Sequence, residues 1–234
     1  MAKRLLFFHN SASPVISDRL DEYFSGLGLD VDVRWAVNGE LPESLDDYDG
    51  IFFSGSPAGP WEPLPWITAE IDVIREAARR RIPMLGTCFG SQVLAYALCG
   101  PDTVSRRDTY ETGFVPLTAT PALAADPLGR GLPPSFPIFT WHRDEVVAEH
   151  PDMILLARSA QCGNHIWRHR ELPVWGIQGH PEVGGPHGRE WFLHYVHVLN
   201  SDGLPASLVP ASQAEAVRTP EALLLFRNFA DLLK

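Results

Sequence analysis

One short stretch of the sequence, GTCFGSQ at residues 86–92, combines a cysteine with two glycines. Cys88 follows the apolar run IPMLG and precedes the helical pattern FGSQVLAYALCG. Gly86 and Gly90 let a strand and a helix approach each other closely, because glycine has no Cβ. A residue on a tight turn between a strand and a helix is typical of hydrolases that carry a nucleophile elbow. The pattern therefore predicts that Cys88 is a nucleophile.

A nucleophile that attacks a carbonyl also needs donors for the oxyanion that forms. The helix predicted to begin at the thiol favours a thiolate at Cys88, and its first N–H, that of Phe89, is one predicted donor. The loop SGSPAGP, residues 54–60, follows another apolar strand. We expect the N–H of Gly55 or Ser56 to be the second donor, although an ordinary Gly/Pro turn would have the same composition.

The stretch GIQGHPE, residues 176–182, holds the strongest candidate for the base that a thiol nucleophile needs. His180 follows a predicted strand, and Pro181 favours extended backbone in the residue before it. Glu182 can then project toward the side of His180 and accept a hydrogen bond from the imidazole. His-Pro-Glu occurs by chance in surface loops, but together with the elbow it predicts a Cys88-His180-Glu182 triad.

Strands and helices alternate through the first hundred residues. The predicted strands are residues 3–8, 30–37, 48–55 and 82–86, and the predicted helices are residues 14–28, 66–81 and 89–100. Such alternation indicates a parallel sheet with helices on its faces. The triad cysteine would then lie at the carboxyl end of one of these strands.

The chain changes character between about residues 103 and 178. Short β-rich pieces, namely GFVPLTAT, FPIFTWH, MILLARS and PVWGIQ, are separated there by Pro and Gly turns. We expect these pieces to be antiparallel additions to the sheet.

Helical patterns return near the end of the chain, at residues 188–199 and 220–234. The last pattern places its apolar residues on one face, and we expect that face to pack on the domain, with a partner surface as the alternative. No repeat or low-complexity linker divides the chain. Residues 1–234 are therefore predicted to form one domain, with a core at about 3–200 and a helical extension at about 205–234.

Composition narrows the function classes. Nineteen Lys and Arg oppose 29 Asp and Glu, and the net charge of -10 repels nucleic acids and anionic membranes, so neither partner is expected. The N-terminal apolar stretch, Leu5 to Phe8, is too short for a signal-peptide core or a membrane span. Three cysteines without a CxxC pair fit a reducing compartment, with Cys99 as a small buried apolar residue. These features predict a cytoplasmic protein.

Four motifs together resemble the class I, or triad, glutamine amidotransferase family. They are YDGIFFSGSP, GTCFGSQ, WHRDEV and GIQGHPE, in the family's order, and the resemblance spans about residues 3–200. It implies an α/β, flavodoxin-like three-layer fold with a central, mostly parallel sheet and antiparallel additions. It also implies that Gln92, Trp141 and His142 line a pocket for a γ-glutamyl group. The motifs are most similar to those of stand-alone γ-glutamyl peptidases and GMP-synthase-like amidotransferases, in which a histidine stands where this chain has Ser91.

The resemblance implies hydrolysis of a γ-glutamyl amide, in glutamine or a small γ-glutamyl peptide, through a thioester on Cys88. Ammonia would either pass to a separate synthase subunit or simply be released. A non-catalytic binding subunit is a third possibility, against which the intact triad argues. Related cysteine peptidases commonly carry a histidine directly after the elbow cysteine, where Phe89 stands here.

Metal binding is the main rival to these functions. The histidine pairs in HIWRH (His165, His169) and HYVHV (His194, His197) have no evident third ligand, so no metal site is predicted. There is no GxGxxG after the first strand and no Walker-type loop, and therefore no cofactor is expected.

Overall fold

A computed structural model describes residues 2–11, 20–147, 149–184 and 219–233, with the single positions 190, 193 and 197. Its strands are β1 (Lys3–His9), β2 (Leu29–Trp35), β3 (Gly50–Phe53), β4 (Met84–Thr87), β5 (Val104–Ala119), β6 (Ser135–Val146), β7 (Met153–Arg158), β8 (Ile166–His169) and β9 (Val174–Ile177). Its α-helices are α1 (Leu20–Gly26), α2 (Pro65–Arg79), α3 (Phe89–Cys99), α4 (Pro121–Ala125) and α5 (Leu223–Leu232). Short 3₁₀ helices include Pro181–Gly184, separated from the end of β9 by three residues.

The strands form one mixed sheet in the order β2-β1-β3-β4-β9-β8-β7-β5-β6. The five strands from β2 to β9 in that order pair in parallel. The remaining strands pair antiparallel, so they extend the parallel half of the sheet on one side. The expected parallel sheet with antiparallel additions is therefore confirmed. The piece PVWGIQ, expected among the additions, instead forms β9, which pairs in parallel with β4 and antiparallel with β8.

Helices cover both faces of the sheet. Alternate residues of β1 point to opposite faces, because the side-chain period of a strand is two. Leu5 and Phe7 join the core that contains α1 and α5, whereas Leu6 and Phe8 join the core that contains α2 and α3. All four side chains are fully buried, which explains why β1 reads as a continuous apolar run. The result is the predicted three-layer α/β fold.

Helix α5 packs on the same face of the sheet as α1. The Phe226 ring lies 5.3 Å from that of Phe24 and 5.7 Å from that of Phe52, measured between centroids. The Asn228 side chain donates hydrogen bonds of 2.8 Å to the carbonyls of Leu128 and Arg130. The apolar face of the last predicted helix is thus buried within the chain.

The predicted elements of the first hundred residues are present with shifted ends. Strand β3 is shorter than expected, because the chain leaves the sheet after Phe53 to form the loop that begins at Ser54. Strand β5 is much longer than the predicted piece, since it begins at Val104. The predicted helix 14–28 is described only from Leu20.

Some predictions concern residues that the structure does not describe. Nearly all of the helix expected at 188–199, and residues 205–218 of the expected extension, lie outside the described residues. In the described part of the chain, no helix is both long enough and apolar enough to cross a bilayer.

Candidate active site

The site lies where two neighbouring strands of the parallel half end. Strands β4 and β9 pair in parallel, with Thr87 beside Ile177. Cys88 directly follows β4, and His180 follows β9 after two residues. Because the carboxyl ends of parallel strands meet at one edge, this pairing brings together residues that are far apart in sequence.

Cys88 occupies a strained backbone conformation between β4 and α3. Its φ of 51° and ψ of -112° lie in a region that residues with a side chain rarely adopt. A Cβ on Gly86 would lie 2.3 Å from the carbonyl carbon of Gly90, and a Cβ on Gly90 would lie 2.1 Å from the Phe53 oxygen. The Cys88 N–H donates a 2.8 Å hydrogen bond to the Ile177 carbonyl. The two glycines and this bond together hold the elbow predicted from the sequence.

His180 and Glu182 form a buried pair beside the elbow. The Nδ1–H of His180 donates to Oε1 of Glu182 over 2.7 Å, and both side chains are almost fully buried. The His180 backbone N–H donates to the Phe139 carbonyl on β6 over 2.7 Å. Glu182 reaches the imidazole from the 3₁₀ helix that begins at Pro181. Because the Glu182 carboxylate binds Nδ1, the other ring nitrogen, Nε2, interacts with the Cys88 side chain.

The charges around His180 favour its imidazolium form. Burial by itself lowers the pKa of His180, but the Glu182 carboxylate and a hydrogen bond with the Cys88 side chain outweigh it and raise the pKa to about 10. A protonated imidazole beside a sulfur is the arrangement in which a Cys-His pair stores its thiolate. The structure therefore brings the three residues of the predicted triad into one hydrogen-bonded chain.

The other two cysteines lack such an environment. Burial raises the pKa of Cys99 to about 12, and it also raises the pKa of Cys162 well above its usual value. Burial keeps both thiols neutral, and neutral thiols are poor nucleophiles. Cys99 lies at the end of α3 and is half-buried, so it is less enclosed than predicted.

The predicted oxyanion loop lies against the elbow and the base. A Cβ on Gly55 would lie 3.3 Å from Cε1 of His180 and 3.5 Å from Cβ of Cys88. The Ser56 hydroxyl accepts a 3.2 Å hydrogen bond from the Ala58 N–H, within the loop itself. Phe89 is the first residue of α3, whose initial N–H groups have no partner inside the helix. The assignment of Phe89, Gly55 and Ser56 as donors stays a prediction.

A buried carboxyl group supports the start of this loop. The backbone N–H of Asn10, after β1, donates to the Ser54 hydroxyl over 2.9 Å. The Asn10 side-chain amide donates to Oε1 of Glu70 over 2.8 Å. Burial raises the pKa of Glu70 to about 8, with only the Asn10 hydrogen bond opposing the shift. Sequence reasoning missed this group, since Glu70 lies within the predicted helix 66–81.

Strand β6 brings the residues expected to line the pocket close to the thiol. The Trp141 carbonyl oxygen lies 3.9 Å from the Cys88 sulfur. Gln92 lies one turn after Cys88 and donates its amide hydrogens to the Asp144 carbonyl over 2.8 Å and to Oε1 of Gln178 over 3.3 Å. His142 is buried, and both of its ring nitrogens have partners within the protein. That Gln92, Trp141 and His142 contact a γ-glutamyl group stays a prediction.

Ser91 has a packing partner far along the chain. It is fully buried, and its hydroxyl accepts a 2.9 Å hydrogen bond from the indole N–H of Trp167 on β8. A Cβ on Gly176, in β9, would lie 2.4 Å from the Ser91 oxygen. The serine thus fits a tight space between α3 and the sheet.

Glu111, on β5, is the main polar residue near the site that sequence reasoning missed. Its carboxylate oxygens contact His142 over 2.8 Å and Ser159 over 2.5 Å. A signal existed, because Glu111 shares the alternate phase of β5 with Gly113 and Leu117, which are buried. A charged residue in the buried phase of a strand predicts a polar cluster.

The sequence-based prediction of no metal site considered only histidine pairs and missed this cluster. Ligand atoms of Glu111, His142 and Cys162 lie within 4.8 Å of one another. His169 instead accepts 3.1 Å hydrogen bonds from the N–H groups of Glu171 and Leu172. His194 lies outside the described residues.

Comparisons with known proteins give a consistent result. A family model described as glutamine amidotransferase class-I matches residues 14–197. A protein of Methanococcoides burtonii, named as a subunit of glutamine-hydrolyzing GMP synthase, is 30% identical over 173 residues, which is 73% of this chain and 85% of that protein. A protein of Pyrococcus abyssi with the same name is 33% identical over 134 residues, 57% of this chain and 66% of that protein.

A solved structure agrees at the level of the fold. The crystal structure of a glutamine amidotransferase from Thermotoga maritima has a TM-score of 0.80 with 23% identity, and the match covers 100% of this chain and 98% of that one.

Proposed function

Because the chain belongs to the class I glutamine amidotransferase family, we propose that it is a glutaminase that hydrolyses the side-chain amide of glutamine and supplies ammonia to a separate synthase subunit. The observation that carries the proposal is the hydrogen-bonded chain from Cys88 through His180 to Glu182. The names of these relatives support glutamine as the substrate and a separate synthase subunit as the acceptor.

The proposed reaction begins with attack of the Cys88 sulfur on the γ-carbonyl carbon of glutamine. The oxyanion that forms is held by the N–H of Phe89 and by that of Gly55 or Ser56. His180 then gives its proton to the nitrogen as the carbon–nitrogen bond breaks, and ammonia leaves. A γ-glutamyl thioester on Cys88 remains.

The second half of the reaction releases glutamate. His180, now neutral, takes a proton from water, and the hydroxide attacks the thioester carbon. The carbon–sulfur bond breaks and regenerates the thiolate beside a protonated His180. Glu182 stabilises the imidazolium in both halves, since its carboxylate accepts the Nδ1–H throughout.

The test measures glutamate and ammonia from the purified protein with glutamine, and separately with glutathione as a γ-glutamyl peptide. We expect release from glutamine, and we expect Cys88→Ala to abolish it. Cys99→Ala is the matched control, because this half-buried thiol has a raised pKa and should leave the rate unchanged.

Two results would contradict the proposal. Equal glutamine hydrolysis by wild type and Cys88→Ala would remove the nucleophile from the mechanism. Hydrolysis of glutathione without hydrolysis of glutamine would instead make the protein a γ-glutamyl peptidase, a substrate choice for which the names of these relatives give no support.

A further inference from the structure

Glu111 and His142 face each other across the β5–β6 pair, behind the wall of the candidate site. The register pairs Glu111 with His142 and Thr112 with Trp141, directly after an irregularity between Arg106 and Glu111. Both members of the first pair are nearly inaccessible, with side-chain exposures of 2% and 1%. A carboxyl group and an imidazole are thus buried next to the residue whose carbonyl contacts the Cys88 thiol.

The hydrogen-bond partners of His142 hold both of its ring nitrogens. Its Nδ1 lies 3.0 Å from the Asp144 carbonyl, which can only accept, so Nδ1 carries a hydrogen. Its Nε2 lies 2.8 Å from Oε2 of Glu111. Burial alone would raise the pKa of Glu111, but hydrogen bonds from His142 and Ser159 and the nearby His165 lower it below its usual value. The imidazole and the carboxyl group are therefore joined by a buried hydrogen bond, and the Ser159 hydroxyl donates to the other carboxyl oxygen.

This pair connects to Cys88 by two routes. On strand β6, the residue before His142 is Trp141, whose carbonyl oxygen lies 3.9 Å from the Cys88 sulfur. The Asp144 carbonyl, which accepts from His142, also accepts from the Gln92 side chain over 2.8 Å. The Gln92 backbone N–H in turn donates to the Cys88 carbonyl over 3.1 Å. The β6 segment from Trp141 to Asp144 is therefore fixed to the elbow on one side and to the Glu111–His142 hydrogen bond on the other.

We propose that Glu111 is a positioning residue, which acts through His142 to hold the β6 segment and the Trp141 carbonyl in place against Cys88. Loss of the Glu111 carboxylate removes the partner that holds the His142 ring at Nε2, and a buried polar group that loses its partner is relieved by movement of its side chain. The β6 segment then loses its support. The inference rests on the proposed glutaminase function for its catalytic readout.

A metal ion is the competing explanation for the same residues, because Cys162 brings a third ligand atom near Glu111 and His142. The 2.8 Å hydrogen bond between Glu111 and His142 argues against it, since an ion between them would have to separate the two atoms. The hydroxyl of Ser159 already uses the other carboxylate oxygen.

The principal experiment compares Glu111→Gln with wild type in glutamine hydrolysis. Active sites are counted with an electrophilic glutamine analogue, so that kcat refers to competent molecules only. We expect kcat to fall about 10- to 100-fold, because small displacements of catalytic groups have effects of this size. KM should change by less than about threefold. Glu111→Asp, which restores the charge on a shorter side chain, should recover part of kcat.

A buried acid elsewhere in the fold provides the control for lost stability. Asp126 accepts hydrogen bonds from the Leu128 N–H and from the indole of Trp175, away from the site. Asp126→Asn should lower stability and leave kcat per active site unchanged. A double variant, Glu111→Gln with His142→Gln, should be no slower than the slower single variant, because the two residues act as one unit.

A substrate-free measurement separates this inference from the proposed function. We expect iodoacetamide to alkylate Cys88 at least threefold faster in Glu111→Gln than in Asp126→Asn, since a displaced Trp141 carbonyl no longer covers the thiol. Mass spectrometry of the Cys88 peptide gives the rate even if wild type does not hydrolyse glutamine.

Three results would overturn the inference. The first is a kcat and an alkylation rate for Glu111→Gln that both match wild type. The second is an equal loss of kcat in Asp126→Asn. The third is one equivalent of bound metal in purified wild type that disappears in Cys162→Ala.

Discussion

At the residue scale, the elbow and the His-Pro-Glu stretch could be predicted from the sequence because backbone geometry restricts their residue types. A side chain at either elbow glycine would overlap main-chain atoms at 2.1–2.3 Å, so the pattern around Cys88 leaves few alternatives. The partners of His142 could not be predicted in this way. They depend on which residue of β5 lies opposite, and that register follows an irregularity that no local pattern indicates.

Gly55 provides a prediction at this scale. In Gly55→Ala, the new Cβ would lie 3.3 Å from Cε1 of His180, a tight contact that moves either the imidazole or the loop. We expect kcat/KM for glutamine to fall about tenfold or more, because the loop and the base must keep their spacing. The free energy of unfolding should change by less than about 1 kcal/mol, since the substitution adds one methyl group at the edge of the site.

The control for this substitution is Gly26→Ala, where a Cβ would meet nothing within 4 Å. Steady-state kinetics and urea denaturation measure the two effects separately. A Gly55→Ala protein with wild-type kcat/KM would show that the loop does not constrain His180.

At the element scale, the longer helices and the first four strands follow from apolar periodicity, whereas β8 does not. Residues 165–169, HIWRH, read as a histidine pair, and their polar residues obscure a strand whose Trp167 is fully buried. The strand exists because β7 and β9 pair with it on both sides. Such pairing depends on residues far away in the sequence, so the five residues 165–169 alone do not indicate a strand.

Helix α2 provides the prediction at the element scale, because it buries Glu70 against the end of β1. Between the usual pKa of 4.5 and the raised value of about 8, the folded protein keeps the Glu70 proton and the unfolded chain releases it. The native state then binds more protons, so stability falls as pH rises through this interval. We expect a contribution of at most about 1.4 kcal/mol per pH unit.

Urea denaturation at several pH values between 5 and 9 tests this dependence. Glu70→Gln should remove this part of the decrease, since the amide can still accept from Asn10 and does not ionise. Glu76→Gln, at a partly exposed position on the same helix, should keep the wild-type slope. If the free energy of unfolding of Glu70→Gln depends on pH as steeply as that of wild type, a group other than Glu70 causes the dependence.

At the scale of the whole molecule, the four motifs were enough to predict the layered fold, because in this order they resemble those of a family with that fold. The packing of the C-terminal helix was also predictable from its single apolar face. What the sequence did not indicate is the neighbour of that face. Phe226 packs against Phe24 and Phe52, which come from α1 and β3.

This packing leads to a prediction about the stability of the whole chain. Phe226→Ala removes a fully buried ring and should lower the free energy of unfolding by about 3–5 kcal/mol. The exposed neighbour Arg227 is the control, and Arg227→Ala should change the free energy of unfolding by less than about 0.5 kcal/mol. Both are measured by urea denaturation. A loss below about 1 kcal/mol in Phe226→Ala would mean that α5 is not part of the cooperative core.

The position of β9 has a consequence for how the protein is made. Of the strands that the structure describes, β9 is the last in chain order, yet it lies in the interior of the sheet between β4 and β8. A nascent chain that stops before Val174 carries Cys88 but has neither its base nor the strand that holds the elbow. Long-range pairings of this kind form late, after the chain between them has been synthesised. Under the proposed glutaminase function, incomplete translation products would therefore consume no glutamine, and ammonia release would begin only with chains translated past β9 and the His-Pro-Glu stretch.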